Sequence, residues 1–271
     1  MLPNFLIIGA ARCATGWISQ CLREHPDIFV AADETRFFDE NYKKGLDWWE
    51  QVYFNTWKSE KAVGEKTANY IFEPSVPARI ASFSSDVKLI CCFRDPIDRM
   101  YSHYVHQSTR KKDRVTVPFT SYIDPESDLV RRGFYFQQIK RFMNFFPRDN
   151  VLIKIYEDKD EDPLSFIQEI FHFLEIDEGC VPPSTGYQTK RGAAERKNWF
   201  WRNLSGYMNS PNTPASLRVL YKKMRPEHGV AELSPEELVK YAGLFREDVE
   251  ELERFLKRDL NCWLTKKIVQ G

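Results

Sequence analysis

The sequence predicts an α/β fold built on a mostly parallel sheet. Three short apolar runs, at 5–8, 87–93 and 151–156, are typical of strands that are buried on both faces. Segments with apolar residues at helical spacing lie between these runs. Strands that alternate with helices in this way indicate a parallel sheet that is covered by helices.

Length and composition limit the possible functions. The 271 residues suit a single domain spanning 1–271, which is long enough to bury a substantial core. Lys and Arg together number 39, as do Asp and Glu, so the formal net charge is 0. A chain without net charge has no overall field that would attract nucleic acid or an anionic membrane. No apolar run approaches the roughly 20 residues that span a bilayer.

The cysteines and the position of the first predicted strand indicate the cellular compartment of the protein. Six cysteines are scattered without a Cys-x-x-Cys pair, which favours reduced thiols. The first predicted strand begins close to Met1, so we expect neither a signal peptide nor an anchor. These observations predict a cytoplasmic protein, and they give no indication of its oligomeric state.

The loop after the first predicted strand has the features of an anion site. Small residues follow Gly9, Arg12 adds a fixed positive charge, and Thr15 places a hydroxyl at the start of the next helix. Backbone N–H groups and the helix dipole converge at such a turn. The alternative is an ordinary strand-to-helix turn with Arg12 on the surface. A Walker loop is excluded because the Gly-Lys-[Ser/Thr] ending is missing.

This loop resembles the 5′-phosphosulfate loop of sulfotransferases that use 3′-phosphoadenosine 5′-phosphosulfate (PAPS). Many bacterial members read Gly-Ala-Pro-Arg-Ser-Gly-Thr there, followed by a small residue and Trp. Ala14 stands where the family usually has Gly, which crowds the loop and is expected to weaken donor binding. The resemblance implies that the donor contacts Arg12, Cys13, Ala14, Thr15, Gly16 and Trp17.

A carboxylate beside two aromatic residues is a candidate general base. Glu34 precedes Phe37 and Phe38, and burial among such rings would raise the pKa of a carboxyl toward neutrality. A solvated loop acid above two core phenylalanines is the alternative. The segment resembles the Glu-Pro-His-Phe-Phe motif of heparan-sulfate-type sulfotransferases, which implies that Glu34 is the catalytic base. Thr35 and Arg36 depart from that motif, so the saccharide contacts of the family do not carry over here.

Lys66 is the next candidate along the chain. It lies in Gly64–Tyr70, which matches the Glu-Lys-[Ser/Thr]-x-x-Tyr element of the family. The resemblance implies that Lys66 faces the junction between donor and acceptor, whereas a lone lysine is ordinarily a surface charge. Glu65 is either a structural partner or a rival to Glu34 as the base.

A second strand–loop–helix unit follows the run at 87–93. Asp95 and Pro96 are typical of a helix cap and a first helical position. The motif Arg-Asp-Pro-x-x-Arg-x-x-Ser-x-Tyr is intact, and it resembles the 3′-phosphate element of the same family. Arg94 and Ser102 are therefore the expected ligands, a guanidinium for a dianion and a hydroxyl donor. The alternative is an Arg and a Ser on a solvated helix.

Two later segments complete the resemblance. Lys190, Arg191 and Gly192 resemble the Arg-Lys-Gly-type loop that folds over the 3′-phosphate. Residues 192–232 mix aromatic, basic and proline residues, which fits a lid or an acceptor-binding subregion as well as a packed irregular segment. Among other candidates, His103 and His106 have helical spacing but no third ligand, so no metal site is predicted.

The resemblance implies a P-loop-like three-layer fold and a sulfuryl transfer from PAPS to an acceptor hydroxyl on a small molecule or a saccharide, with an amine as the alternative acceptor. Glu34 would act as the base, Arg12 would hold the 5′ side, and Lys66 would lie at the junction. Arg12 replaces the Lys of heparan-sulfate-type members, and a guanidinium stabilises charge but does not release a proton. A nucleotide-dependent kinase and a catalytically inactive nucleotide-binding module are the alternatives.

Overall fold

The computed structural model describes residues 3–109, 115–117, 119–186 and 235–263. Within these ranges the chain forms a five-stranded sheet in which every pairing is parallel, with the order β2-β3-β1-β4-β5. The α/β prediction is confirmed. The strands are β1 Phe5–Gly9, β2 Ile28–Val30, β3 Ala62–Lys66, β4 Lys88–Phe93 and β5 Val151–Ile155.

Helices connect the strands and flank the sheet. In the described part of the chain, none of them is both long and apolar enough to cross a bilayer. The predicted donor loop at 190–192 and the possible lid at 192–232 lie outside the described residues. The helices are α1 Thr15–Arg23, α2 Leu46–Tyr53, α3 Val76–Phe83, α4 Pro96–Ser108, α5 Phe119–Tyr122, α6 Asp128–Arg131, α7 Tyr135–Met143, α8 Tyr156–Glu161, α9 Pro163–Phe173, α10 Pro183–Gly186 and α11 Pro235–Leu256.

The two central strands form the core of the sheet. All five residues of β1 are buried, and so is β4 after its first residue. Continuous apolar sequence is required there because helices cover both faces of a parallel sheet. The edge strand β2 is only three residues long.

The topology creates a crevice between β1 and β4. β1 leads through α1 to β2 on one side of the sheet, whereas β4 leads to β5 on the other side. Loops at the carboxyl ends of two such strands diverge, and ligands of open α/β sheets bind in the gap between them. Both anion-binding loops that the sequence predicts start at this crevice.

Local backbone features fix these two loops. Gly9 has φ +156°, and a Cβ there would lie 2.4 Å from Cγ2 of Ile71, so the end of β1 has no room for a side chain. After β4, the Asp95 carboxylate accepts hydrogen bonds from the backbone N–H of Ile97 at 2.8 Å and Asp98 at 3.3 Å. Asp95 therefore caps α4 as predicted, and it fixes the direction in which the helix leaves the crevice.

Candidate active site

The loop between β1 and α1 is wound tightly at the crevice. Arg12 and Ala14 have positive φ angles of 74° and 63°. Glycine adopts this left-handed conformation at less cost than alanine, so the expected crowding at Ala14 arises in the backbone. A Cβ at Gly16 would meet no atom within 4 Å, and the first turn of α1 holds no acidic residue. The start of α1 is thus open and suited to an anion.

Arg12 joins the two predicted anion-binding elements. Its Nε and Nη2 donate hydrogen bonds to Oγ of Ser102 at 3.2 and 3.1 Å. Ser102 is buried on α4. The loop after β1 and the helix after β4 therefore meet at one place, although 90 residues separate them in the sequence.

Arg94 lies at the same crevice, directly after β4. Its guanidinium carbon is 4.5 Å from the centre of the Tyr156 ring, at the start of α8. Its Nη2 is 3.7 Å from Oδ2 of Asp98. The ring and the carboxylate hold the buried guanidinium in place at the carboxyl end of the sheet.

Glu34 and Lys66 form an ion pair next to this crevice. Nζ of Lys66 donates to Oε1 of Glu34 at 2.6 Å, and the two side chains are 19% and 35% exposed. Lys66 ends β3, and Glu34 follows the neighbouring strand β2. Phe37 and Phe38 turn into the core while Glu34 stays partly exposed, which corresponds to the alternative of a loop acid above two core phenylalanines.

The desolvated carboxylate of the region is Glu65. Its side chain is fully buried, and burial raises its pKa to about 7. Oγ1 of Thr67 donates to it at 2.8 Å and also accepts from the backbone N–H of Arg36 at 3.2 Å. The hydroxyl of Tyr70 accepts from the N–H of Phe38 at 3.1 Å. Glu65 thus belongs to a buried network that ties the Glu34 segment to the end of β3.

This burial gives Glu65 a defined effect on stability. Its pKa is higher in the folded chain than the ordinary 4.5, so the folded state binds the proton more tightly than the unfolded state. We expect the parent to gain stability relative to Glu65→Gln as the pH falls from 7.5 to 5.5, at about 1.4 kcal/mol per unit at most. Urea unfolding at both pH values measures this difference. A parent and variant with the same pH dependence would contradict it.

Cys13 and Trp17 hold the loop and α1 against the rest of the fold. Burial raises the pKa of the Cys13 thiol to about 11, so the thiol is neutral at pH 7, and its Sγ lies 3.8 Å from the Tyr135 hydroxyl. Nε1 of Trp17 donates to the carbonyl of Ser184 at 3.0 Å, and the ring packs edge-on against Phe166. Thr15 is buried in the first turn of α1.

Three further residues at the site were not predicted. Glu157 follows β5; it accepts from the N–H of Asp95 at 3.3 Å and from Nε1 of Trp263 at 3.0 Å, and burial raises its pKa to about 7. Arg132 donates to Oδ1 of Asn69 at 2.6 Å. Arg99 is buried on α4. Sequence patterns could have pointed to Arg99, which lies inside the Arg-Asp-Pro-x-x-Arg-x-x-Ser-x-Tyr motif, and to Glu157, which directly follows the predicted strand at 151–156. No pattern pointed to Arg132.

His103 and His106 differ in environment, since His103 is half-buried on α4 and His106 is exposed. Burial, followed by the charges of Arg99, Arg132 and Arg12, lowers the pKa of His103 to about 3. Among the described residues, no group of three or more His, Cys, Asp or Glu side chains is placed to bind a metal ion.

Comparisons with known proteins agree with this geometry. Mouse and human heparan sulfate glucosamine 3-O-sulfotransferase 3B1 are each 30% identical over 180 residues, which is 64% of this chain and 46% of each relative. Human heparan sulfate glucosamine 3-O-sulfotransferase 6 is 28% identical over 178 residues, which is 64% of this chain and 52% of that relative. The chain spans about half the length of the curated relatives it matches.

Two solved structures share the fold. A sulfotransferase from Alicyclobacillus acidocaldarius has a TM-score of 0.71 at 24% identity, over 97% of this chain and 99% of that chain. Mouse sulfotransferase SULT7A1 complexed with PAP has a TM-score of 0.54 at 18% identity, over 94% of this chain and 87% of that chain. These likenesses confirm the predicted P-loop-like fold.

The family itself is shown by the sequence match. The model described as "Sulfotransferase domain" matches residues 2–185, which is more than half of the 271 residues. The predicted family membership is confirmed, and the chain belongs to the sulfotransferase domain family.

Proposed function

We propose that this protein transfers a sulfuryl group from PAPS to an acceptor hydroxyl. The observation that carries the proposal is the contact of Arg12 with Ser102, which joins the two anion-binding elements at the crevice. The donor carries a phosphosulfate at the 5′ position of its ribose and a phosphate at the 3′ position. It therefore needs two anion-binding elements at a fixed separation. Membership of the sulfotransferase family and the fold shared with PAP-bound SULT7A1 support this donor.

The two anion-binding elements would bind different ends of the donor, one the 5′-phosphosulfate and the other the 3′-phosphate. Arg12, Thr15 and the first-turn amides of α1 would hold the 5′-phosphosulfate, since a helix N-terminus and a guanidinium favour an anion. Arg94 and Ser102 would hold the 3′-phosphate. The resemblance adds Lys190, Arg191 and Gly192 as a covering loop. With the donor bound, the departing product is adenosine 3′,5′-bisphosphate (PAP).

The Glu34–Lys66 pair supplies the groups that the transfer requires. As the acceptor oxygen bonds to sulfur and the bond from sulfur to the 5′-phosphate oxygen breaks, the acceptor proton must leave. Glu34 would take that proton, because its carboxylate is partly exposed at the carboxyl end of the sheet. Lys66, 2.6 Å from Glu34, would orient the carboxylate and meet the charge that develops at the junction. Unlike the guanidinium of Arg12, its ammonium group would also give a proton to the departing 5′-phosphate oxygen.

We assign a saccharide hydroxyl as the acceptor. The curated relatives with the matching segment are named for a glucosamine unit of heparan sulfate, and this likeness supports a sugar. Arg36, which is partly exposed, departs from the motif of those relatives and supports a sugar other than theirs. A panel of oligosaccharides and small hydroxylated metabolites, incubated with labelled PAPS, identifies the acceptor; transfer to small metabolites alone would overturn the saccharide assignment.

Ligand-induced thermal shifts test the donor. PAP at a hundredfold excess over its dissociation constant should stabilise the fold by about 2.7 kcal/mol. ATP with Mg²⁺ should give a much smaller shift, whereas a nucleotide-dependent kinase would show the reverse order. Stabilisation by PAP without turnover of labelled PAPS on any acceptor would favour the inactive nucleotide-binding module.

Reciprocal exchanges at the two cations separate their roles. Arg12→Lys keeps a charge in the loop, so turnover should remain within about tenfold, a barrier change of about 1.4 kcal/mol. Lys66→Arg places a planar fork that does not release a proton beside Glu34, so it should lower turnover more than Arg12→Lys does. Steady-state rates at saturating PAPS measure both.

The pattern of losses distinguishes proton handling from simple positioning. If Lys66 only positions the donor, Lys66→Arg would weaken donor affinity and leave turnover at saturation intact. That result, or full activity in Lys66→Arg, would show that Lys66 does not handle a proton.

A further inference from the structure

Arg99 is a buried cation without a counterion in the described residues. It lies on α4, between Arg94 and Ser102 in the sequence, and its side chain is completely buried. Its Nη2 donates to the backbone carbonyl of Leu129. Within the described ranges, its Nε and Nη1 have no hydrogen-bond partner, and no carboxylate lies within ion-pair distance.

The groups that surround Arg99 do not neutralise it. Its electrostatic neighbours include Cys13 in the loop after β1, Tyr135 on α7 and the cation Arg94. Burial raises the pKa of both the Cys13 thiol and the Tyr135 hydroxyl, so both groups are neutral at pH 7. Burial also lowers the pKa of Arg99, but a guanidinium keeps its proton at neutral pH. Arg99 therefore remains charged in an apolar setting, which is costly without compensation.

The position of Arg99 links this charge to the crevice. Cys13 belongs to the loop that would take the 5′-phosphosulfate, and Arg94 is the expected ligand of the 3′-phosphate. Burial lowers the pKa of the nearby His103, and the charges of Arg99, Arg132 and Arg12 lower it further, so these three cations act on the same region. Charges in a buried, low-dielectric region act over longer distances than charges in water.

We propose that Arg99 is an electrostatic residue for donor binding, and that the phosphate groups of the bound nucleotide compensate its charge without contacting it. This inference rests on the proposed donor. Without nucleotide, the uncompensated guanidinium leaves positive charge behind the loop, and nucleotide binding balances that charge. Arg99 thus lowers the stability of the nucleotide-free protein and raises its affinity for an anionic ligand.

Two substitutions that differ in charge test the proposal. Arg99→Gln and Arg99→Lys both shorten the side chain and keep an N–H donor on it, but only lysine retains the charge. Calorimetric titration with PAP should give a dissociation constant at least about tenfold higher for Arg99→Gln and within about threefold of the parent for Arg99→Lys. Without nucleotide, Arg99→Gln should unfold in urea at a midpoint equal to or above that of the parent.

Arg141 provides a matched control. It is a half-buried arginine on α7 whose Nη2 donates to the carbonyls of Ile71 and Phe72. Arg141→Gln also removes a guanidinium that donates to backbone carbonyls, although a less buried one, and we expect it to leave the dissociation constant for PAP unchanged.

The remaining outcomes overturn the proposal. Equal dissociation constants for Arg99→Gln and the parent, or equal losses in both Arg99 variants, would leave Arg99 with a purely structural role. An Arg99→Gln variant that unfolds without nucleotide at a clearly lower urea midpoint than Arg99→Lys would show that the charge is not a cost to the nucleotide-free protein. Failure of the parent itself to bind PAP would instead reject the proposed donor.

Discussion

Replacing Glu34 by glutamine is expected to lower turnover by roughly 10²–10⁴-fold, the range over which a positioned general base contributes. Glutamine has nearly the same shape and can still accept a hydrogen bond from Lys66, 2.6 Å away in the parent. It does not accept a proton from the acceptor hydroxyl. The loss should therefore appear in the rate at saturating PAPS and acceptor, while the affinity for PAP stays close to that of the parent.

Glu65→Gln is the matched control for this experiment. Glu65 precedes Lys66 on β3, but it is fully buried in the network of Thr67 and Tyr70 and has no access to an acceptor. Its substitution should keep turnover within about tenfold. A large loss in Glu65→Gln combined with near-normal turnover in Glu34→Gln would transfer the role of base to Glu65.

The crevice could be predicted from the sequence because it depends on local signals. A buried strand followed by small residues and a helix occurs after β1, and the capped helix at Asp95 follows β4. Parallel strands end at the same edge of a sheet, so loops that follow neighbouring strands lie close together. The contact of Arg12 with Ser102 depends on the pairing of β1 with β4, which the sequence did not predict.

The Glu34–Lys66 pair could not be predicted, because it depends on the pairing of strands. Val30 lies opposite Gly64 in the β2–β3 register, which brings the ends of the two strands together. A three-residue strand carries no signal for its neighbour or its register. The same limit left both a buried and a solvated Glu34 open, since adjacency to Phe37 in the sequence does not indicate which side chain enters the core.

Arg99 illustrates a different limit. Arg99 lies in the sequence between Arg94 and Ser102, so its position suggests a third ligand of the 3′-phosphate. In the structure its guanidinium is instead buried beneath α6, against the carbonyl of Leu129. Burial at that position depends on how α4, α6 and α7 pack, which is a property of the tertiary structure. The sequence identifies the motif that contains Arg99, but it does not determine whether the Arg99 side chain points into the crevice or into the core.

Arg94→Ala should abolish most of the stabilisation by PAP. A guanidinium that meets a dianionic 3′-phosphate forms charge-assisted hydrogen bonds, and its removal leaves that charge without its main partner. We expect the dissociation constant for PAP to rise by roughly a hundredfold, which corresponds to about 2.7 kcal/mol. At a PAP concentration tenfold above the parent dissociation constant, the thermal shift of the variant should nearly vanish.

Two controls separate ligand binding from folding in this experiment. Arg94→Ala removes the packing on Tyr156, for which cation–π contacts suggest a loss of about 1 kcal/mol in the nucleotide-free protein. Arg246→Ala, at an exposed helical pair with Glu250, should leave the PAP shift intact. If Arg94→Ala shows the same PAP shift as the parent and Arg246→Ala, the 3′-phosphate is bound elsewhere. The assignment of the second strand–loop–helix unit to the donor would then be withdrawn, while the role of Glu34 would remain open to its own test.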